Sequence, residues 1–292
     1  MDKLIVHANA KINLFLEVLD KRTDGYHNIE TVFQSIDLHD TLIFKEQKAG
    51  VINLSSDNKD LPLGSSNLIS KACELLLKES GKNYGVDIQL IKRIPIGAGL
   101  AGGSADAGGT LIGLNEFWEL GYSIGDLVEL GKKLGADVPF CMIGGTALGK
   151  ERGDSITKLK PLSNVYVVIA NPGFEVSTAY AYASLANLGL TRSKKNGNII
   201  VDDINNSDVL AIAKNLYNAF EQLVINEHPI IREIKAEMQN LGALGALMTG
   251  SGPTVFALTD DISVAENIKR KLESRVRFCV ISQTSNHSII KA

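Results

Sequence analysis

The sequence predicts an α+β fold built as two packed domains. Three observations support this class. The chain has 292 residues, strand-type alternation and helix-type spacing both recur along it, and a glycine-rich stretch separates a strand pattern from a helix pattern. This length suits one large domain or two packed ones. An Asn171-Pro172-Gly173 turn follows a short apolar strand, so we divide the chain into domains 1–160 and 161–292.

The N-terminal part is predicted to open as antiparallel sheet. Apolar side chains occupy the even positions from 12 to 18, which predicts a half-buried strand over 11–19 with Lys11 on its polar face. Further strands are expected at 29–38, 41–44 and, more weakly, 51–54. Asn67 can cap a helix over 68–78 that Gly81 ends.

A glycine-rich loop over residues 95–109 lies between a strand pattern at 86–91 and a helix pattern at 111–118. Glycines let successive N–H groups turn toward one anion, and the next helix presents its positive end. We expect that helix to begin near Ser104, whose hydroxyl can cap it or contact a phosphate or its magnesium. The alternative is a glycine turn that only permits close packing. The pattern is not GxxxxGK[ST], since no Lys follows the glycines, and it is not a GxGxxG that opens a βαβ dinucleotide unit with an acidic residue about 20 positions on.

The rest of the chain alternates helices and strands. Ser123 precedes a helical pattern through Leu134 that Pro139 is expected to close, and glycines at 144–153 indicate a hairpin over 144–159. The polar segment 189–207 is expected to be an exposed loop. Helices are predicted at 209–221, 229–241 and 264–274, with strands at 165–170, 246–248, 254–258 and 277–282.

Composition excludes several classes of function. A formal net charge of −3 gives no general attraction to nucleic acid. No apolar run is long enough to span a membrane, and we expect no leader peptide. The three cysteines are far apart and the five histidines form no zinc motif. A cytoplasmic protein that binds small molecules and no transition metal is expected.

The glycine loop carries a resemblance to a known superfamily. Its pattern, Pro-x-x-x-Gly-Leu-x-Gly-Gly-Ser-x-x-Ala, resembles the phosphate loop of the GHMP kinases, which include galactokinase, homoserine kinase and mevalonate kinase. Residues 248–256, with Gly250 at the turn, resemble the third motif of that superfamily. The resemblance implies the two-domain GHMP kinase fold, an active site in the interdomain cleft, and ATP with Mg²⁺. The superfamily often has Gly where this chain has Ala101, and an alanine there is strained if its φ is positive.

Two further segments imply the catalytic pair. Taken alone, Lys11 would be a solvent-facing cation and Asp137 a turn carboxylate. However, residues 10–16 and 135–139 match one branch of the superfamily. Phosphoryl transfer needs the phosphates held, their charge offset and the acceptor hydroxyl aligned. The resemblance implies that Asp137 takes the hydroxyl proton and that Lys11 supports it.

The segment from Asp24 to Leu38 resembles the branch that phosphorylates the 2-hydroxyl of a cytidyl-linked methylerythritol in the non-mevalonate isoprenoid pathway. This implies that Tyr26 and His27 hold the cytosine, with Tyr182 as a stacking ring. Two alternatives stay open. One is a GHMP kinase acting on mevalonate, homoserine or a sugar, and the other is a catalytically silent nucleotide sensor.

The resemblance implies a full set of site residues. The residues implied at ATP are Asn67, Leu68, Lys92, Pro95, Ile96, Gly97, Ala98, Gly99, Leu100, Ala101, Gly102, Gly103, Ser104 and Ala105. The residues implied at the acceptor substrate are Asn13, Tyr26, His27, Thr178, Tyr182 and Gly250. Ser104 is also the candidate ligand of Mg²⁺. Both a monomer and a homodimer are compatible with the sequence.

Overall fold

The computed structural model describes residues 2–187 and 196–292. The described strands are β1 (Lys3–Lys21), β2 (His27–Glu46), β3 (Ile52–Ser56), β4 (Val86–Ile91), β5 (Thr146–Lys150), β6 (Ser155–Lys158), β7 (Tyr166–Asn171), β8 (Tyr217–Asn218), β9 (Gly245–Met248), β10 (Val255–Thr259), β11 (Phe278–Gln283) and β12 (Ile289–Lys291). The described helices are α1 (Leu68–Ser80), α2 (Gly102–Phe117), α3 (Ile124–Lys132), α4 (Val138–Ile143), α5 (Thr178–Asn187), α6 (Gly197–Asn205), α7 (Val209–Lys214), α8 (Glu221–Glu227), α9 (Ile230–Asn240) and α10 (Ile262–Leu272). The α+β prediction is confirmed.

Two sheets organise these elements. The first sheet has eight strands. Five of them follow the order β12-β1-β2-β4-β3, while β5 pairs with β2, β6 pairs with β5 and β8 pairs with β1. The second is a four-stranded sheet with the order β11-β7-β10-β9. One apolar core packs the first sheet against α1 to α3, and another packs the second sheet against α8 to α10. Strands β8 and β12 return from the C-terminal half to the first sheet, and the division at residue 160 stays a prediction.

Strand β1 is buried on both faces, so the half-buried prediction is wrong. Phe15 lies on the face expected to meet solvent, yet it is buried. Strand β8 pairs alongside β1 and places the Tyr217 ring 5.5 Å from that of Phe15. The two strands predicted at 29–38 and 41–44 form the single strand β2, because residues 39 and 40 keep their pairing with β1.

Helix α2 begins at Gly102, two residues before the expected start near Ser104, and Ser104 is not its cap. The capping residue is Ala101, which has a left-handed φ of 56° and makes no side-chain capping bond. The helix lies close to the first sheet, because Gly113 permits the contact. A Cβ there would lie 2.7 Å from the Phe44 ring. Helix α2 is therefore positioned by its glycines rather than by a polar cap.

The caps of two neighbouring helices are as predicted. The Asn67 side chain accepts a hydrogen bond from the Ile69 N–H, and Gly81 ends α1 in the left-handed conformation with a φ of 63°. Ser123 forms a capping box with Asp126 at the start of α3. Capping bonds of this kind need only residues close in sequence, and local pattern was enough to find them.

Three other predictions are corrected. Pro139 lies in the first turn of α4 and begins that helix, where its missing N–H costs nothing. The helix predicted at 209–221 is broken between α7 and α8, because Asn218 pairs with β1 and its amide donates to the carbonyls of Met248 and Gly250. Residues 197–205 of the predicted loop form α6, which buries Ile200 and Ile204. The remainder of that loop, 189–195, lies outside the described residues.

The described part of the chain bears on the predictions about membrane-spanning helices and about the cysteines. None of its helices is long and apolar enough to cross a membrane. Cys73, Cys141 and Cys279 are free thiols, and the first two are buried. Burial raises the pKa of the Cys73 thiol to about 12, which keeps it protonated and unreactive.

Candidate active site

A cavity of about 930 Å³ lies where the two sheets meet the glycine loop. Nearly all of the predicted site residues line it. The two exceptions are Leu100 and Ala105, which are buried in the core. The cavity gathers residues from segments far apart in the chain, such as Lys11, Leu68, Asp137, Tyr182 and Gly250. It is the candidate active site.

Lys11 and Asp137 meet inside this cavity. The Lys11 ammonium lies 3.5 Å from a carboxylate oxygen of Asp137. It also donates to the Asn13 side-chain oxygen at 2.8 Å and to the Gly99 carbonyl at 3.2 Å. Lys11 is only 4% exposed, which excludes the solvent-facing alternative. The pair offers a proton acceptor and a fixed positive charge beside the glycine loop.

The glycine loop reaches α2 through residues with positive φ. Gly97 and Gly99 have φ of 63° and 76°, and Ala101 has φ of 56°. Because its φ is positive, the backbone of Ala101 is strained, as expected for an alanine in this conformation. The first three N–H groups of α2 have no acceptor within the helix, and the residues that carry them, Gly102 to Ser104, line the cavity. This arrangement suits an anion.

The residues implied at the nucleotide surround this loop. Leu68 contacts the loop near Gly103, where an added Cβ would lie 3.7 Å from it. Asn67 caps the helix that carries Leu68. Pro95, Ile96, Ala98 and Ser104 also line the cavity. The N-terminal ends of α1 and α2 thus lie side by side at one end of the cavity.

The third glycine motif lies directly against the glycine loop. Gly250 has a φ of 57°, and a Cβ on it would come within 3.0 Å of the Gly99 carbonyl. A Cβ on Gly99 would in turn overlap the carbonyl oxygen of Thr249. Ser251 belongs to the same turn, and its hydroxyl lies 3.1 Å from the hydroxyl of Thr178 at the start of α5. The two loops can therefore approach this closely only because Gly99 and Gly250 have no side chains.

Replacement of Gly99 by alanine is expected to weaken ATP binding. The alanine would be strained at a φ of 76° and would displace the Thr249 carbonyl. Strain of about 1–3 kcal/mol corresponds to roughly 5- to 150-fold in affinity. Calorimetric titration with ATP measures it. Gly64→Ala is the control, because Gly64 has no atom within 4 Å of an added Cβ. Unchanged ATP affinity in Gly99→Ala would contradict this description of the loop.

Lys92 forms a buried ion triad beneath the glycine loop. Its ammonium donates to Asp40 and, at 2.8 Å, to Asp106 on α2. Burial opposes the charge on Lys92, but the two carboxylates raise its pKa. Burial raises the pKa of Asp106 to about 7, and its second oxygen has no hydrogen-bond partner among the described residues. The sequence pointed to Lys92 but not to its partners.

Aromatic side chains line the other end of the cavity. The rings of His27 and Tyr182 stack at 5.1 Å with 24° between their planes, and Phe220 meets Tyr182 edge-on at 4.8 Å. Burial raises the pKa of Tyr182. Burial and then Lys21 lower the pKa of His27 against a smaller opposing effect of Asp20, which favours the neutral ring at pH 7. A neutral aromatic slot suits an uncharged base.

Some lining residues were missed by sequence reasoning. Tyr26 is exposed, and the Arg152 guanidinium lies 5.2 Å from the centre of its ring. Arg152 is held by an ion pair with Asp154. Nothing local in the hairpin around Arg152 indicates a site. Phe220 was also missed, since no local pattern relates it to the cavity, and Ser251 was missed although it follows the predicted Gly250 in the motif at 248–256.

Known proteins resemble this chain over nearly its whole length. Residues 67–145 match the model of the GHMP kinases N terminal domain, and residues 200–277 match that of the GHMP kinases C terminal domain. A 4-diphosphocytidyl-2-C-methyl-D-erythritol kinase from Pelotomaculum thermopropionicum is 44% identical over 279 residues, covering 96% of this chain and 97% of the relative. The chain belongs to the 4-diphosphocytidyl-2-C-methyl-D-erythritol kinase family. A relative of the same name from Exiguobacterium sibiricum is 42% identical and covers 94% of this chain and 95% of its own.

Solved structures agree with this family of kinases. The crystal structure of a 4-(cytidine 5'-diphospho)-2C-methyl-D-erythritol kinase matches with a TM-score of 0.79 and 30% identity, covering 96% of this chain and 99% of that chain. A homoserine kinase from Cytophaga hutchinsonii matches with a TM-score of 0.80 but only 20% identity, covering 100% and 98%. The second likeness shows the fold alone. The GHMP kinase fold predicted from residues 95–109 is confirmed.

Proposed function

We propose that this chain transfers the γ-phosphoryl group of ATP to the 2-hydroxyl of 4-diphosphocytidyl-2-C-methyl-D-erythritol, giving the 2-phosphate and ADP in the methylerythritol phosphate pathway of isoprenoid biosynthesis. The observation that supports it most is the Lys11–Asp137 contact of 3.5 Å beside the glycine loop. Family membership supports the choice of acceptor, and the GHMP kinases use ATP as donor.

Each part of the cavity has a proposed task in the reaction. The oxygen of the 2-hydroxyl attacks the γ-phosphorus, and Asp137 accepts the hydroxyl proton. The bond between the γ-phosphorus and the oxygen that bridges it to the β-phosphate breaks, which releases ADP. The Lys11 ammonium offsets charge that develops on the oxygens. The N–H groups at the start of α2 hold the phosphates that stay behind. We assign the residues named around the glycine loop to ATP on this basis.

The aromatic end is proposed to receive the cytidyl group. Tyr182 provides a ring on which the cytosine stacks, and neutral His27 offers one donor and one acceptor to its edge. Tyr26, Thr178 and Gly250 line the same cavity. Asn13 is assigned to the acceptor substrate because it adjoins Lys11. The alternative of a silent nucleotide sensor is disfavoured because both Lys11 and Asp137 are present and in contact.

Magnesium fits the cavity as a companion of ATP rather than as a resident ion. The described residues contain no cluster of three or more His, Cys, Asp or Glu able to hold a metal ion. Mg²⁺ commonly keeps several waters and uses one or two protein groups with the substrate phosphates. The Ser104 hydroxyl, in the first turn of α2, is the proposed ligand, and a bound Mg²⁺ would neutralise phosphate charge.

A panel of acceptors tests the proposal. Release of ADP is measured with ATP and Mg²⁺, offering 4-diphosphocytidyl-2-C-methyl-D-erythritol, mevalonate or homoserine separately, with ³¹P NMR of the product. Turnover with the cytidyl acceptor alone and a new phosphomonoester signal is expected. Turnover with another acceptor would retain the fold and discard the substrate. Binding of ATP and the cytidyl acceptor without any product would favour the sensor.

The setting of the enzyme is also proposed. We infer a cytoplasmic enzyme that acts as a monomer or homodimer on small molecules and does not bind nucleic acid. The net charge of −3 supports the last point. Sedimentation at micromolar concentration distinguishes the two oligomeric states.

A further inference from the structure

We propose that Thr249 is a positioning residue for phosphoryl transfer, because its hydroxyl fixes Asn13 and Asn13 in turn aims the Lys11 ammonium at Asp137. This inference rests on the proposed function of the cavity. Thr249 directly follows β9 and is fully buried. It lies in the third glycine motif, 236 residues from Asn13 in the sequence. Thr249 itself does not line the cavity.

The hydroxyl of Thr249 has a defined set of partners. It accepts a hydrogen bond from the Asn13 backbone N–H at 3.0 Å. It also lies 3.3 Å from the Asn13 side-chain oxygen and 3.5 Å from the Gly99 carbonyl, to either of which it can donate. The shorter of these two distances favours Asn13. One buried hydroxyl therefore connects Asn13 on β1 to the turn after β9.

The side chain of Asn13 is held in one orientation. Its NH₂ group donates to the Thr31 hydroxyl at 2.8 Å, and that hydroxyl donates to the Phe15 carbonyl at 2.7 Å. With the NH₂ group occupied, the oxygen faces Lys11 and accepts its ammonium at 2.8 Å. Turning the amide over would place two donors against each other, and the network permits only one arrangement.

The side chains of Lys11 and Thr249 lie within hydrogen-bonding distance of the same two acceptors. The ammonium donates to the Asn13 oxygen and to the Gly99 carbonyl, and both of these lie beside the Thr249 hydroxyl. Removal of that hydroxyl would leave the buried N–H of Asn13 without an acceptor. Asn13 would then shift, and Lys11 with it. A displacement of about 1 Å at a reacting group can cost roughly 100-fold in rate.

Two substitutions separate the hydroxyl from the shape of the side chain. Thr249→Val removes the hydroxyl, whereas Thr249→Ser keeps it. We expect kcat of Thr249→Val to fall about 10- to 100-fold, with the KM of each substrate and the Kd of ATP within about threefold of wild type. Thr249→Ser is expected to recover most of the turnover. A purely structural role would lower the amount of folded protein without this split between kcat and KM.

Thr254→Val is the matched control. Thr254 is equally buried in the same turn, and its hydroxyl accepts a hydrogen bond from Asn171 at 2.8 Å without touching Lys11 or Asn13. Both valine variants are expected to lose a similar amount of thermal stability, but only Thr249→Val should lose turnover. Equal loss of kcat in both, or kcat of Thr249→Val within threefold of wild type, would overturn the inference.

The wild-type enzyme, assayed with the cytidyl acceptor in the same experiment, separates two kinds of failure. If the wild type does not turn over, the proposed function fails, and the positioning role of Thr249 that rests on it fails as well. If the wild type turns over and Thr249→Val does so equally well, only the positioning role is lost. A failure of Thr249→Ser to recover activity would show that the methyl group of Thr249, rather than its hydroxyl, matters.

Discussion

Asp137→Asn is expected to lower kcat by about 10²- to 10⁴-fold, the usual contribution of a general base. Asparagine has the same shape as aspartate but cannot accept the proton of the acceptor hydroxyl. It also removes the negative charge that lies 3.5 Å from the Lys11 ammonium. The KM for ATP should change little, because the proposed phosphate site is the glycine loop and α2. Single-turnover measurement of ADP formation gives the rate of the chemical step.

The comparison needs a carboxylate outside the cavity. Glu129→Gln is suitable, since Glu129 pairs with Lys132 on the surface of α3 and is expected to leave turnover unchanged. Binding of ATP to Asp137→Asn, measured by titration, verifies that the cavity is intact. If Asp137→Asn kept more than about a tenth of wild-type turnover, Asp137 could not be the proposed base.

Lys92→Met is expected to lower the free energy of unfolding by about 3–5 kcal/mol. The substitution leaves Asp40 and Asp106 buried without their shared cation. Methionine fills most of the volume of the lysine stem, and the loss reflects charge more than packing. Since a domain has only about 5–15 kcal/mol of stability, the variant would be close to unfolding at growth temperature. Urea denaturation followed by fluorescence of Trp118, the single tryptophan, measures the change.

Two variants make this stability prediction sharper. Lys133→Met removes a surface pair with Glu79 and should cost no more than about 1 kcal/mol. Asp106→Asn removes one of the two buried carboxylates and keeps Lys92 paired with Asp40, and its cost should be smaller than that of Lys92→Met. Equal costs for Lys92→Met and Lys133→Met would mean that the buried triad adds nothing beyond a surface pair.

The elements that the sequence predicted well depend on neighbours in the chain. Asn67, Gly81 and Ser123 cap their helices through hydrogen bonds that span only a few residues. The elements predicted poorly depend on distant partners. The break before Asn218 exists because the chain there pairs with β1, and the start of α2 follows from the backbone of Ala101. No local pattern contains either of these constraints.

The candidate site divides in the same way. The glycine loop, Lys11 and Asp137 lie in continuous motifs, and a resemblance can identify them without coordinates. Arg152 and the partners of Lys92 act through contacts between segments that sequence order does not relate, and Thr249 lies in a recognised motif but contacts Asn13, which is 236 residues away. Asp40 and Lys92 are 52 residues apart, for example, and each alone is an ordinary charged residue. The two residues form a buried ion pair only after the chain has folded, and burial is what makes the pairing necessary.

The stack of His27 on Tyr182 has a consequence for the rate of acceptor binding at the proposed cytidyl site. The rings lie face to face at 5.1 Å, and a base that stacks on this face of Tyr182 must first displace the imidazole. Aromatic contacts of this kind contribute about 0.5–1.5 kcal/mol, which is small enough to break often. Tyr182 lies on α5, whose first residue, Thr178, contacts the third glycine motif. If the acceptor stacks on Tyr182 as proposed, its association includes a side-chain rearrangement step, and we expect a rate below the limit set by diffusion.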